Sequence, residues 1–134
     1  TLFRSAVAKD NGRRLGLSVE WLTGSWWQPL AGRHFDVLLS NPPYIAAGDP
    51  HLPALRHEPL EALSPGGDGL DDLRRITAGA RAHLACGGWL LLEHGFDQAE
   101  AVADLLSQAG LAQIQHRQDL AGRTRCTGGT SPAS

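Results

Sequence analysis

The run Phe35-Asp36-Val37-Leu38-Leu39-Ser40-Asn41-Pro42-Pro43-Tyr44 decides the fold of this 134-residue chain. Its first six residues form a short, almost continuously apolar run, which is typical of a strand buried on both faces of a sheet. Asn41-Pro42-Pro43 then ends the strand, because proline fixes its own φ and has no N–H to donate to a neighbouring strand. We therefore expect a central strand over residues 35–40 with a stiff turn at its carboxyl end.

Strand and helix patterns alternate along the rest of the chain. Strands are predicted at residues 18–23, 89–95, 112–117 and 124–127. Helices are predicted at residues 4–17, from Leu70 to Gly87-Gly88, and from a capping box at Asp97 and Glu100 to Gly110. This order predicts an α/β fold with a mostly parallel sheet, in which ligands bind outside the carboxyl ends of the strands.

Composition argues against several classes of protein. Twelve Lys and Arg against fourteen Asp and Glu leave a net charge of −2, so no direct nucleic-acid partner is expected. The longest apolar runs are far shorter than the ~18 residues that cross a bilayer, so no membrane partner is expected either. The first five residues lack the features of a signal peptide and indicate a truncated start. Two cysteines give no disulfide framework, which favours a cytoplasmic location.

The four residues Asn41-Pro42-Pro43-Tyr44 have a geometry suited to chemistry. The stiff turn holds the Asn41 side-chain oxygen and the Pro42 carbonyl as two acceptors, with the flat ring of Tyr44 beside them. Two such acceptors suit a planar NH₂ group, whose nitrogen then keeps one face free to attack a methyl group on a sulfonium. A rigid strand exit without a catalytic role is the alternative, and its odds are about even for the four residues alone. Their place directly after a predicted buried strand favours the catalytic interpretation.

Further segments make the chain closely similar to one family, the HemK-type protein glutamine N5-methyltransferases. These enzymes methylate the Gly-Gly-Gln glutamine of peptide chain release factors. The resemblance runs from about residue 6 to residue 129 and includes Gly24-Ser25-Trp26, Phe35 to Ile45, Asp49-Pro50-His51-Leu52, His57-Glu58-Pro59-Leu60, Gly67-Asp68-Gly69-Leu70, Leu91-Leu92-Glu93-His94-Gly95 and Asp119-Leu120-Ala121-Gly122-Arg123.

The resemblance implies a role for each matching residue. Asn41, Pro42 and Tyr44 would be catalytic and, together with Pro43, would bind the substrate glutamine. Trp26 and Asn41 would contact S-adenosylmethionine, and the protein partner would be a release factor. Ser25 stands where the family usually carries an aspartate that accepts from the adenine amino group.

The resemblance also implies a fold: an incomplete Rossmann-like sheet of a class I S-adenosylmethionine-dependent methyltransferase, lacking its first two strands. Residues 1–134 would then be a partial catalytic domain, without the glycine-rich cofactor loop and the N-terminal helical module. In the family's strand order, 3-2-1-4-5-7-6, the strands at 18–23 and 35–40 would be separated by two strands that this chain does not contain.

Several alternatives stay open at this point. The chain could instead be an amino-methyltransferase acting on adenine or guanine in DNA or rRNA, or an inactive truncated remnant. Glu93 and His94 could form an acid/base pair, although a supporting structural role is favoured about two to one. No metal site is expected, because the spacing of Asp49, His51, His57 and Glu58 matches no compact zinc pattern.

Overall fold

The computed structural model describes residues 2–50, 59, 63–64 and 66–133. The chain divides into two compact units, Thr1–Ala31 and Gly32–Ser134. Its helices and strands are α1 (Leu2–Arg14), β1 (Phe35–Ser40), α2 (Asp71–Ala80), β2 (Leu84–Glu93), α3 (Ala99–Gln108), β3 (Ala112–Gln118) and β4 (Thr124–Thr130). Short 3-10 turns lie at Gln28–Leu30 and Arg81–His83. Among the described residues, no helix has the length and apolar character needed to span a bilayer.

The first unit consists of α1 and an irregular segment. The helix ends at Arg14, and the turn after it contains the predicted terminator Gly16, whose φ of 65° is the left-handed conformation that glycine adopts easily. The strand predicted at residues 18–23 is wrong, since these residues are exposed and have no regular structure. A strand needs a partner to take up its backbone hydrogen bonds, and none of the described strands pairs with this segment.

The second unit is built on a four-stranded sheet in the order β1-β2-β4-β3. β1 and β2 run parallel, with Leu39 opposite Leu91, whereas β4 runs antiparallel to both β2 and β3. This order agrees with the 4-5-7-6 portion of the strand order implied by the resemblance. The carboxyl ends of β1 and β2 therefore lie side by side.

The core lies on one face of this sheet. Leu90 and Leu92 of β2 are at most 1% exposed and point to the same face, since alternate residues of a strand share a face. Helices α2 and α3 contact each other and cover this face. Their buried apolar residues are Leu73, Ile76, Ala80, Val102 and Leu106.

The opposite face of the sheet is open in the described part of the chain. Val37 is 51% exposed and Leu39 is 75% exposed, so the prediction that residues 35–40 are buried on both faces is wrong for this face. The physical reason is that both helices of this unit pack on the face of Leu90. The apolar run of β1 therefore has one half-buried and one exposed surface.

Two predicted helix boundaries are also wrong. The second helix ends at Ala80 and not at Gly87-Gly88, because Leu84 already pairs with Phe35 as the first residue of β2. The third helix begins after Gln98, and no side-chain capping bond is present at that residue. The predicted capping box at Asp97 and Glu100 is therefore not formed, and the Gln98 side chain bonds elsewhere.

Candidate functional site

Asn41-Pro42-Pro43-Tyr44 follows β1 directly and lies beside the carboxyl end of β2. Asn41 is exposed, Pro42 is buried, and Pro43 and Tyr44 are half-buried. The buried proline ring anchors the turn while the asparagine side chain stays accessible. The turn thus occupies the edge of the sheet where α/β folds bind their ligands.

Asn41 lines a cavity of about 370 Å³. The cavity is formed by Leu39, Ser40, Asn41, Leu91, Glu93, Arg125 and Cys126. Within the described residues, neither the Asn41 amide nor the Pro42 carbonyl has a hydrogen-bond partner. The Asn41 amide is therefore available to a ligand in this cavity, whereas Pro42 is buried and lines neither this cavity nor the one beside Tyr44.

Tyr44 lines a second cavity, of about 470 Å³, which shares Arg125 with the first. Its hydroxyl donates to the Glu93 carboxylate at 3.3 Å, which links one wall of each cavity. Burial raises the pKa of the Tyr44 phenol, and the negative charge of Glu93 raises it further. The phenol therefore stays protonated at neutral pH and keeps donating to Glu93.

The residues after the turn are tied to three other segments. The Tyr44 carbonyl accepts from the Gln98 side chain at 3.0 Å, the Ile45 N–H donates to Leu63 at 2.9 Å, and the Ala47 N–H donates to the Gly67 carbonyl at 3.1 Å. Asn41 and Pro42 differ, since their two acceptors have no hydrogen-bond partner within the part of the chain that the structure describes. The described residues thus hold the end of the turn at Tyr44 and leave the Asn41 side chain unbonded.

Asp68 fixes the glycine-rich segment beside Tyr44. Its carboxylate accepts from the Leu70 N–H and from the Arg74 guanidinium, which also pairs with Asp71. These bonds, that of Arg74 above all, lower the pKa of Asp68 to about 2. Arg74 is thus half exposed and held in this ion pair.

His94 is completely buried and bonded at both ring nitrogens. Nδ1 lies 2.8 Å from the Gly95 carbonyl, which can only accept, so Nδ1 carries the proton. Nε2 then accepts from the Thr127 hydroxyl at 2.6 Å, whose oxygen accepts in turn from Nδ1 of His116 at 2.9 Å. Burial lowers the pKa of His94, which keeps the ring neutral. This geometry supports a structural role for His94, since the ring lines neither cavity.

Arg125 lines both cavities and was missed by the sequence analysis. Its Nε donates to Asp119 at 3.3 Å, and its guanidinium lies 5.7 Å from the centre of the Phe96 ring. A second arginine, Arg123, stacks on Phe96 at 5.3 Å. The signal that could have found Arg125 is the direction of β4, because the first residues of an antiparallel strand lie beside the carboxyl ends of its neighbours.

The remaining predicted site residues are placed as follows. Trp26 belongs to the first unit, has a φ of 49° and is 41% exposed; its role at a cofactor stays a prediction. Of the residues weighed for a metal site, Asp49 is described, whereas His51, His57 and Glu58 lie outside the described residues. The described part of the chain holds no cluster of three or more His, Cys, Asp or Glu suited to a metal ion.

Comparison with known proteins identifies the relatives of this chain. It is 52% identical over 129 residues to the release factor glutamine methyltransferase of Xylella fastidiosa (strain Temecula1), a match covering 94% of the chain and 47% of the relative. It is 49% identical over 125 residues to the enzyme of the same name from Pseudomonas aeruginosa, covering 91% and 45%. The chain is thus homologous to release factor glutamine methyltransferases and spans about half their length. No family model matches the chain.

Solved structures agree on the fold. The protein-(glutamine-N5) methyltransferase (release factor-specific) of Alicyclobacillus acidocaldarius matches with a TM-score of 0.54 and 27% identity, covering 88% of this chain and 68% of that one. A methyltransferase from Pyrococcus furiosus matches with a TM-score of 0.63 at 16% identity, covering 96% and 58%. The predicted fold, a partial Rossmann-like methyltransferase sheet, and the predicted family resemblance are confirmed.

Proposed function

We propose that the protein transfers a methyl group from S-adenosylmethionine to the side-chain amide nitrogen of the glutamine in the Gly-Gly-Gln motif of peptide chain release factors. The observation that carries this proposal is the exposed Asn41 side-chain amide, which lines an open cavity and has no hydrogen-bond partner among the described residues. The names of the relatives, at about half identity, support the choice of substrate. Such an activity belongs in the cytoplasm, where release factors act in translation termination.

The two acceptors would orient the substrate before reaction. A glutamine side-chain amide has two N–H groups on one nitrogen, and Asn41 and Pro42 would accept one each. Drawing electron density away from those hydrogens enriches the nitrogen, whose face would then point at the methyl donor. Orientation of this kind supplies roughly 7–11 kcal/mol of a reaction barrier.

Tyr44 would form the wall that keeps the amide in plane. Its hydroxyl donates to the Glu93 carboxylate, and its backbone carbonyl accepts from the Gln98 side chain, so that both the ring and the backbone of Tyr44 are held. On accepting the methyl group, the amide nitrogen would release one proton to solvent. A strong base is not needed, which fits the placement of His94 away from both cavities.

The residues near the first cavity fit the methyl donor. S-adenosylmethionine supplies, when bound, an electrophilic methyl group on a sulfonium sulfur. Leu39 and Leu91 give the cavity apolar walls suited to a thioether chain, and Asn41 stands at their end. The family resemblance assigns contact with the adenine to Trp26. On this proposal, residues 1–134 act as part of one catalytic domain.

The experiment compares two asparagine variants, since Asn11 and Asn41 are the only asparagines of the sequence. In the full-length protein carrying this sequence, Asn41→Ala should lower the rate of release-factor methylation about a hundredfold or more, the loss typical of removing one preorganised hydrogen-bonding group. Asn11→Ala, on the exposed surface of α1, should keep the wild-type rate. Because Asn41 is exposed and unbonded in the described structure, both variants should unfold within about 0.5 kcal/mol of wild type.

Methyl incorporation is measured by mass spectrometry of the Gly-Gly-Gln peptide. A release factor with glutamine replaced by alanine, a DNA duplex and an rRNA fragment serve as parallel substrates. Methylation of either nucleic acid in place of the release factor would overturn the proposed substrate. A wild-type rate in Asn41→Ala would overturn the proposed mechanism.

A further inference from the structure

Gln98 joins the two segments that end at the candidate site. It precedes α3, and its side-chain Oε1 accepts from the Gly95 N–H at 2.8 Å, while Nε2 donates to the Tyr44 carbonyl at 3.0 Å. Gly95 follows β2, and Tyr44 follows β1. A single amide thus bridges the exits of two parallel strands.

The orientation of this amide is fixed by its partners. A backbone N–H can only donate and a carbonyl can only accept, so the oxygen of Gln98 must face Gly95 and its nitrogen must face Tyr44. The backbone of Gln98 is held as well, since its N–H donates to the Gly95 carbonyl at 3.0 Å and its carbonyl accepts from Val102 at 2.9 Å. Val102 is completely buried, which ties the bridge to the core.

The Tyr44 carbonyl is confined from a second side by Gly69. A Cβ built on Gly69 would lie only 2.3 Å from that oxygen and 3.0 Å from Nε2 of Gln98. The absence of a side chain at Gly69 therefore lets the carbonyl and the amide meet. Gly69 and Gln98 together fix the position of the Tyr44 carbonyl oxygen.

We propose that Gln98 is a positioning residue for methyl transfer, acting on the substrate amide through Tyr44. This inference rests on the proposed function. Gln98 contributes no atom to the reaction; its amide bridge sets where the Tyr44 backbone lies. Since the turn from Asn41 to Tyr44 is stiffened by two prolines, a shift of its last residue also shifts Asn41 at its start, which lines the first cavity.

The decisive variant is Gln98→Glu in the full-length protein. A carboxylate of nearly the same shape still accepts from the Gly95 N–H but cannot donate to the Tyr44 carbonyl, which it repels. A negative charge at the start of α3 is favourable for the helix, so the fold should be retained. Gln108→Glu is the matched control, because Gln108 is the exposed last residue of the same helix.

Kinetics give the first measurement. A shift of the reacting groups by about 1 Å costs on the order of a hundredfold in rate. We expect Gln98→Glu to lower kcat and kcat/KM together by about ten- to a hundredfold, the pattern of an interaction realised in the transition state. KM for the release factor should stay near wild type, and Gln108→Glu should match wild type in both constants.

Tyrosine spectroscopy gives a measurement that does not depend on activity. Tyr44 is the only tyrosine of the sequence, and its ring signal in a protein labelled with ¹³C-tyrosine is assigned by its loss in Tyr44→Phe. Gln98→Glu should shift or broaden this signal at an unchanged melting temperature, whereas Gln108→Glu should leave it in place. If Gln98→Glu fails to fold, Gln98→Met, which removes both bonds without adding charge, replaces it.

The outcomes separate this inference from the proposed function. A wild-type kcat together with an unmoved Tyr44 signal would overturn the positioning role. A loss of kcat that follows only a loss of thermal stability, with the Tyr44 signal of the folded protein unmoved, would overturn it too. If the wild-type protein methylates no release factor, the proposed function fails, and the Tyr44 signal alone decides whether the bridge holds the turn.

Discussion

Replacing Gly69 by alanine should slow methyl transfer far more than it weakens the fold. Gly69 has a φ of 81°, in the left-handed region, and its Cα faces the Tyr44 carbonyl. The added Cβ would lie 2.3 Å from that oxygen, whereas ordinary contact begins near 3.4 Å. The oxygen belongs to backbone, so the turn that carries it has to move.

The size of the effect follows from these distances. Relief of the overlap requires a displacement of about 1 Å, and a misplacement of that size costs about a hundredfold in rate, equivalent to about 2.7 kcal/mol of barrier. The left-handed conformation costs an alanine about 1–2 kcal/mol of stability in addition. Gly66→Ala separates the two contributions, since Gly66 has a φ of 89° and its added Cβ meets no atom of the described residues within 4 Å.

Both variants are prepared in the full-length protein and compared by urea unfolding and by the rate of release-factor methylation. We expect similar losses of stability, of about 1–2 kcal/mol, in Gly69→Ala and Gly66→Ala. Only Gly69→Ala should show the hundredfold lower kcat. Equal rates in the two variants would refute the idea that methyl transfer depends on the position of the Tyr44 carbonyl beside Gly69.

Two further predictions concern stability. Stability should be fully present above pH 6.5 and fall as the pH drops toward the lowered folded-state pKa of His94, because burial keeps the folded imidazole neutral while the unfolded one binds protons. His94→Gln should flatten this part of the urea-unfolding profile, and an unchanged slope would contradict the assignment. Leu92→Ala should cost about 2–5 kcal/mol in the 134-residue chain, because Leu92 is fully buried. Leu39→Ala should change the free energy of unfolding by no more than about 0.5 kcal/mol. Equal losses in Leu92→Ala and Leu39→Ala would show that the face of Leu39 is packed.

The turn at the candidate site was predictable from sequence because its determinants are local. Two prolines end β1 wherever the rest of the chain goes, and the apolar run before them forms a strand. The order of the strands came with the family resemblance, since residues 35–40 contain nothing that selects their neighbours. The failed strand at residues 18–23 shows the same limit, because alternation indicates a possible strand but supplies no partner.

The supports of the site were not predictable in this way. Gln98 and Tyr44 are 54 positions apart, and their hydrogen bond exists only after β1 and β2 have paired. Arg125 reaches the cavities because β4 runs antiparallel, which no local pattern indicates. The exposure of Leu39 likewise depends on which face of the sheet α2 and α3 pack against. Composition and periodicity describe the segments, whereas these contacts arise from their assembly.

The place of β4 between β2 and β3 bears on how the protein is made. On the ribosome β3 emerges before β4, yet β4 is the strand that separates it from β2 in the finished sheet. Until β4 has left the exit tunnel and folded back, the edges of β2 and β3 that it will cover have unpaired backbone groups, which can pair wrongly. Arg125 arrives with that same strand, so the cleft is completed only once β4 has paired with β2.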